Sequence, residues 1–144
     1  GLQIPRLARW AAARRPPPKL GLRLAWPVAG YVSSPFGPRG RAFHEGIDIP
    51  ASFGAPVLAA APGRVTFAGF HAGGFGYLVV VSHGGGVQTW YAHLSAVTVG
   101  PGATVAAGQG VGLVGATGHA TGPHLHLEAR IRGLAVDPLP ALGR

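Results

Sequence analysis

The chain of 144 residues is long enough to enclose one core, and its 47% hydrophobic content excludes an intrinsically disordered polymer. It has no cysteine, which excludes disulfide staples and thiolate metal sites, so any metal would be held by His, Asp or Glu. A net charge of +8 draws the chain to polyanions, whether nucleic acid, anionic lipid or wall polymer, without choosing among them.

Six of the twelve basic residues, Arg6, Arg9, Arg14, Arg15, Lys19 and Arg23, precede residue 26, and no acid occurs before Glu45. Residues 1–25 therefore read as a basic, Pro-rich linker or tail. Pro16, Pro17 and Pro18 form an extended spacer, and a short amphipathic helical piece over 6–15 could lie on a wall or membrane surface. No apolar run there is long enough to span a membrane. There is no Met, even at position 1, as expected of a chain whose original start, with any targeting signal, has been removed.

From residue 26 to 144 the texture changes to short apolar runs cut by Gly and Pro, the pattern of a single all-β domain. Strands are predicted over 31–32, 46–49, 56–60, 63–68, 77–82, 87–93, 97–99, 111–114 and 125–131. Turn signals at Gly73-Gly74, Gly84-Gly85-Gly86, Pro101-Gly102 and Gly108-Gln109-Gly110 recur at hairpin intervals, which favours antiparallel pairing.

Three of these stretches carry chemistry. In Phe43-His44-Glu45-Gly46-Ile47-Asp48-Ile49, His44 and Asp48 share a face, with Gly46 permitting a kink between them. That pair is either half of a metal site or a surface His–Asp pair. In Val87 to Ser95, alternation places Tyr91 and His93 on one face and Trp90, Ala92 and Leu94 on the other. The third is a half-buried strand in which Leu125, Leu127, Ala129 and Ile131 face a core while His124, His126, Glu128 and Arg130 face away. Only four acids exist, Glu45, Asp48, Glu128 and Asp137, and three of them sit in or beside these His-bearing stretches.

His44-x-x-x-Asp48, Tyr91-Ala92-His93-Leu94-Ser95 and Thr121-Gly122-Pro123-His124-Leu125-His126-Leu127-Glu128 resemble, in order, the motifs of the LytM/lysostaphin-type zinc metallopeptidases, family M23. The resemblance runs from Ser33-Ser34-Pro35-Phe36-Gly37-Pro38-Arg39 to Val136-Asp137-Pro138. It implies a compact antiparallel β-sandwich-like fold with a groove, one Zn²⁺ held by His44, Asp48 and His126, and catalytic roles for His93 and His124. The implied activity is endopeptidase cleavage of peptidoglycan stem-peptide cross-links or bridges, outside the cytoplasmic membrane. The pattern is closer to members acting on direct, diaminopimelate-type cross-links than to glycyl-glycine cutters. It departs from the family in Ala120 before Thr121 and in Leu127 after His126, neither a ligand position. Arg39 and His119 are candidate substrate contacts, Glu128 a support for the ligands, and His71 and His83 structural background.

Two other classes are weighed against this. A lipoyl- or biotinyl-type carrier is suggested by the turn repeat over 99–109, but the only lysine is Lys19, far from any hairpin tip. A specific nucleic-acid binder would leave the His/Asp constellation unexplained. A family member that has lost catalysis and activates other wall hydrolases stands as the alternative function.

Overall fold

The computed structural model describes residues 20–143. The amphipathic piece, the Pro spacer and most of the basic tail lie outside the described residues. Of the segment read as tail, Leu20, Leu22 and Leu24 pack against the main core, and Leu24 exchanges backbone hydrogen bonds with Ala141 and Gly143.

The strands are β1 (Gly37–Arg39), β2 (Ala42–His44), β3 (Ile47–Pro50), β4 (Pro56–Leu58), β5 (Gly63–His71), β6 (Gly76–Gly84), β7 (Val87–Val97), β8 (Thr104–Val105), β9 (Gly110–Val114), β10 (His124–Ile131) and β11 (Leu134–Val136), followed by a 3₁₀ turn over Leu139–Ala141. Two of the four expected turns close hairpins: Gly73-Gly74 links β5 to β6, and Gly84-Gly85-Gly86 links β6 to β7, whereas Pro101-Gly102 and Gly108-Gln109-Gly110 flank β8, which pairs with β5 and not with β7 or β9. The run 31–32 is not a strand, and 97–99 is the end of β7 running into coil. β1, β2, β8 and β11 were not predicted, because two or three residues are too few to show a period.

A nine-stranded antiparallel sheet, ordered β11-β10-β7-β6-β5-β8 with β3, β4 and β9 joined to it, carries nearly all of the domain. β10 pairs with β7 along one edge, and along the other with β3 and β11. One sheet face closes on the main core, with Ile47, Ile49, Val65, Val79, Val81, Tyr91, Leu94, Leu125 and Leu127 packed against Val57, Val111 and Val114 of β4 and β9. This is the sandwich-like layer, and the strict Leu125/Leu127 alternation explains why β10 lies at its centre. Leu78, Val80, Trp90 and Ala92 form a second apolar cluster.

Two expectations about facing are corrected. β10 is buried on both sides: Glu128 is 2% and Arg130 0% exposed, so its polar face is an interior surface and not a solvent-facing one. Tyr91 and His93 do not share a face. Tyr91 enters the main core, whereas His93, with φ of 62°, sits where the β6–β7 register shifts between Tyr91 and Leu94, and turns to the opposite side. A left-handed residue at such an irregularity inverts the alternation beyond it.

Burying Tyr91 requires a partner for its hydroxyl. Ala60 N–H donates to Tyr91 Oη (2.8 Å), which lies 2.8 Å from Thr89 Oγ1. Thr89 Oγ1 is 2.8 Å from His83 Nε2, and His83 Nδ1 is 2.6 Å from the Pro62 carbonyl. Because that carbonyl only accepts, Nδ1 carries the proton, Thr89 donates to Nε2 and Tyr91 donates to Thr89. The chain of bonds needs neutral His83, and burial lowers that imidazole's pKa below the usual value. Below pH ~6.5 the unfolded chain then binds more protons at this residue than the folded one, so its contribution to stability is full above that pH and lost as pH falls. Urea midpoints measured between pH 7.5 and 5 should fall more steeply for the unaltered chain than for His83→Asn; parallel profiles would refute the coupling.

Candidate metal centre

β2 and β3 are separated by Glu45 and Gly46, and this kink swings His44 back over Asp48. The β3–β10 register then sets His126 directly across from Asp48, with Leu127 across from Ile47. Main-core burial of Ile47, Ile49, Leu125 and Leu127 thus fixes the polar partners as well, since a slip by one residue would reverse both strands.

The result converges on one oxygen. Asp48 Oδ1 lies 2.8 Å from His126 Nδ1, 3.3 Å from His44 Nε2 and 3.6 Å from His124 Nε2. The second Asp48 oxygen, Oδ2, is 3.6 Å from Arg39 Nη1, which also donates to Ser34 Oγ at 3.0 Å. Three imidazoles present their nitrogens in one way: Nδ1 donates to a backbone carbonyl, at Pro35 for His44 (2.9 Å), Thr117 for His93 (2.7 Å) and Gly122 for His124 (2.9 Å). A neutral ring so held keeps a free lone pair on Nε2. His126 is reversed, its Nε2 being 2.9 Å from Glu128 Oε1, which leaves Nδ1 to face Asp48.

Electrostatics follow from this clustering. Burial alone would raise the Asp48 carboxyl, but hydrogen bonds and charge from His126 and His44 hold it well below the usual carboxylate range. Burial pulls the His126 imidazole down, and the Asp48 and Glu128 carboxylates outweigh it, pushing it up to about 9. Glu128 is likewise held below its usual range, because His126 and Arg130 offset its burial. His93 moves the other way, to about 4, chiefly through burial.

Among the described residues, one group of potential ligands stands out: donor atoms of His44, Asp48 and His126 lie within 4.8 Å of one another. Two imidazole nitrogens and one carboxylate oxygen, with the second nitrogen of each ring tied to an acceptor, are a donor set that suits Zn²⁺. Beside it, the rings of His93 and His124 are 5.0 Å apart. A cavity of about 690 Å³ opens over the group, and the residues expected to be ligands, catalytic groups or substrate contacts, Arg39, His44, Asp48, His93, His119, His124 and His126, line it.

Phe75, which lines the cavity, and Thr117, which stands behind His93, carry no sequence signal. Phe75 forms a wall with its ring 6.3 Å from that of His126, and Thr117 anchors His93 through its carbonyl. Thr117 is fixed in turn by donating from Oγ1 to the Leu94 carbonyl at 2.6 Å. The strand period could not reveal them, since they lie in a hairpin tip and a loop brought together by Gly74, Gly76 and Gly118. A Cβ at Gly118 would stand 2.3 Å from the Gly74 carbonyl oxygen.

The sequence profile of peptidase family M23 matches residues 42–138. The chain belongs to peptidase family M23. Among relatives of this M23 domain, DD-carboxypeptidase/endopeptidase Mpg of Neisseria meningitidis is 48% identical over 114 residues, covering 75% of this chain and 26% of Mpg. Murein hydrolase activator EnvC of Escherichia coli is 40% identical over 121 residues, covering 83% of this chain and 29% of EnvC. A zinc-containing peptidase of Vibrio cholerae superposes with a TM-score of 0.73 at 34% identity, over 78% of this chain and 37% of that one. The M23 domain thus spans between a quarter and two fifths of the length of each of these proteins.

Proposed function

We propose that the domain is a zinc-dependent endopeptidase that hydrolyses peptide cross-links or bridges of bacterial peptidoglycan, acting outside the cytoplasmic membrane. The observation that carries this reading is the convergence of His44 Nε2, Asp48 Oδ1 and His126 Nδ1 beside two further imidazoles, His93 and His124, within one open cavity. His44, Asp48 and His126 would hold the ion. When bound, zinc supplies a Lewis acid that polarises the scissile carbonyl and makes water acidic enough to attack near neutral pH.

The chain's own residues supply the rest. With Nδ1–H committed to backbone carbonyls, His93 and His124 each offer Nε2 as a proton acceptor. As water adds to the carbonyl carbon, one of them takes its proton, and the imidazolium formed then faces the developing oxyanion. When the C–N bond breaks, the proton passes to the leaving amine. Arg39, with a side chain 56% exposed, keeps donors free for a substrate carboxylate, and exposed His119 lies on the rim.

Similarity to EnvC supports a second reading, that of an activator of other wall hydrolases. Against it, all five site positions here carry His or Asp. Mass spectrometry of muropeptides after incubation of purified peptidoglycan with zinc-loaded and with chelated protein separates the two. Cross-linked dimers should become monomers only with zinc. Intact dimers, with zinc bound at one equivalent, would overturn the hydrolase reading in favour of the activator.

A further inference from the structure

We infer that Arg130 is a positioning residue for the metal centre, acting through Glu128 to hold His126 with its Nδ1 lone pair turned toward Asp48 and His44. This rests on the metal-binding reading of those three residues. His126, Glu128 and Arg130 succeed one another at every second position of β10 and therefore line one face of it. Each touches the next: His126 Nε2 lies 2.9 Å from Glu128 Oε1, and Arg130 Nε donates to Glu128 Oε2 at 2.8 Å, with Nη2 at 2.6 Å.

The chemistry assigns a task to each link. A ring that offers Nδ1 to a metal must keep its proton on Nε2, and Glu128 Oε1 is the acceptor that keeps it there. A carboxylate 2% exposed needs a partner on each oxygen, and Arg130 takes the one that His126 does not. Arg130 is itself fully buried, with its guanidinium carbon 3.8 Å from the Trp90 ring centroid and Nη2 3.8 Å from Glu45 Oε2. Its Nη1 and Nη2 make no aligned hydrogen bond among the described residues, so ion pairing and stacking hold the group. Trp90 stands directly across from Glu128 in the β7–β10 register, which puts the stack beneath the carboxylate. Lysine could supply the charge but neither the planar stack nor the Nε–H that aims at Oε2.

A double-mutant cycle tests this without reference to catalysis. Zinc affinity is measured by competition with a chromogenic chelator for Glu128→Gln, Arg130→Met and the doubly substituted chain, alongside melting of each metal-free protein. Each single substitution should weaken zinc binding about 10- to 100-fold. The double variant should lose no more than the larger single loss, because both act on the same imidazole. Should Arg130→Met fail to fold, Arg130→Lys takes its place in the cycle, with the same expected direction. Affinities within twofold of the unaltered chain, or losses that multiply independently, would overturn the inference. Absence of zinc binding by the unaltered chain would overturn the metal reading beneath it.

Discussion

Replacing His93 or His124 by alanine should lower kcat on cross-linked muropeptides about 10²- to 10⁴-fold while leaving one zinc bound, the size of effect expected when a positioned proton acceptor is lost. Neither ring belongs to the proposed ligand group, so metal content is the control that separates catalysis from assembly. His93 carries a second signature. Its φ of 62° is a conformation that a Cβ disfavours, and the chain accepts it where the imidazole must turn from the core side of β7 into the cavity. His93→Gly should therefore be about 1 kcal/mol more stable than His93→Ala, although both should show the same loss of kcat. Equal melting temperatures for the two would mean that the backbone strain is not felt. Retention of activity in either would remove His93 from the mechanism.

The same residue marks where reading from sequence stops. Alternation is reliable only while a strand is regular. It located the two faces of β10, and the Leu125/Leu127 face does enter the main core. At His93 it put the imidazole beside Tyr91, because nothing in Tyr91-Ala92-His93-Leu94 announces a left-handed residue. The kink between His44 and Asp48 was legible because Gly46 stands there, and the all-β architecture was legible because glycines punctuate it. Arg130 was not legible. A charged residue alternating with apolar ones predicts exposure, and only the tertiary pairing with Glu128, Glu45 and the Trp90 ring makes its full burial tolerable. Thr117 and Phe75 were invisible for a different reason: a loop and a hairpin tip meet through glycines far apart in sequence, and local pattern carries no record of that contact.

Gly46→Ala should damage the proposed ligand group although it adds only one methyl. The added Cβ would lie 2.3 Å from the Leu127 carbonyl oxygen, 2.9 Å from His126 Cε1 and 3.0 Å from Glu128 Cγ. The first of these is backbone paired within the sheet, so it cannot swing aside as a flexible side chain would. The segment between β2 and β3 must then move off β10, and that movement separates His44 from His126. Overpacking of this kind costs about 1–3 kcal/mol. Two losses are expected together: a lower melting temperature of the metal-free protein, and zinc affinity weakened at least about tenfold, since ligand geometry is what the close approach secures. Gly100→Ala is the matched control, because a Cβ there meets nothing within 4 Å, and it should melt at or slightly above the unaltered chain. If Gly46→Ala bound zinc as tightly as the Gly100 variant, the approach of Gly46 to β10 would be a packing convenience. The ligand geometry would then have to be secured by the β3–β10 register alone.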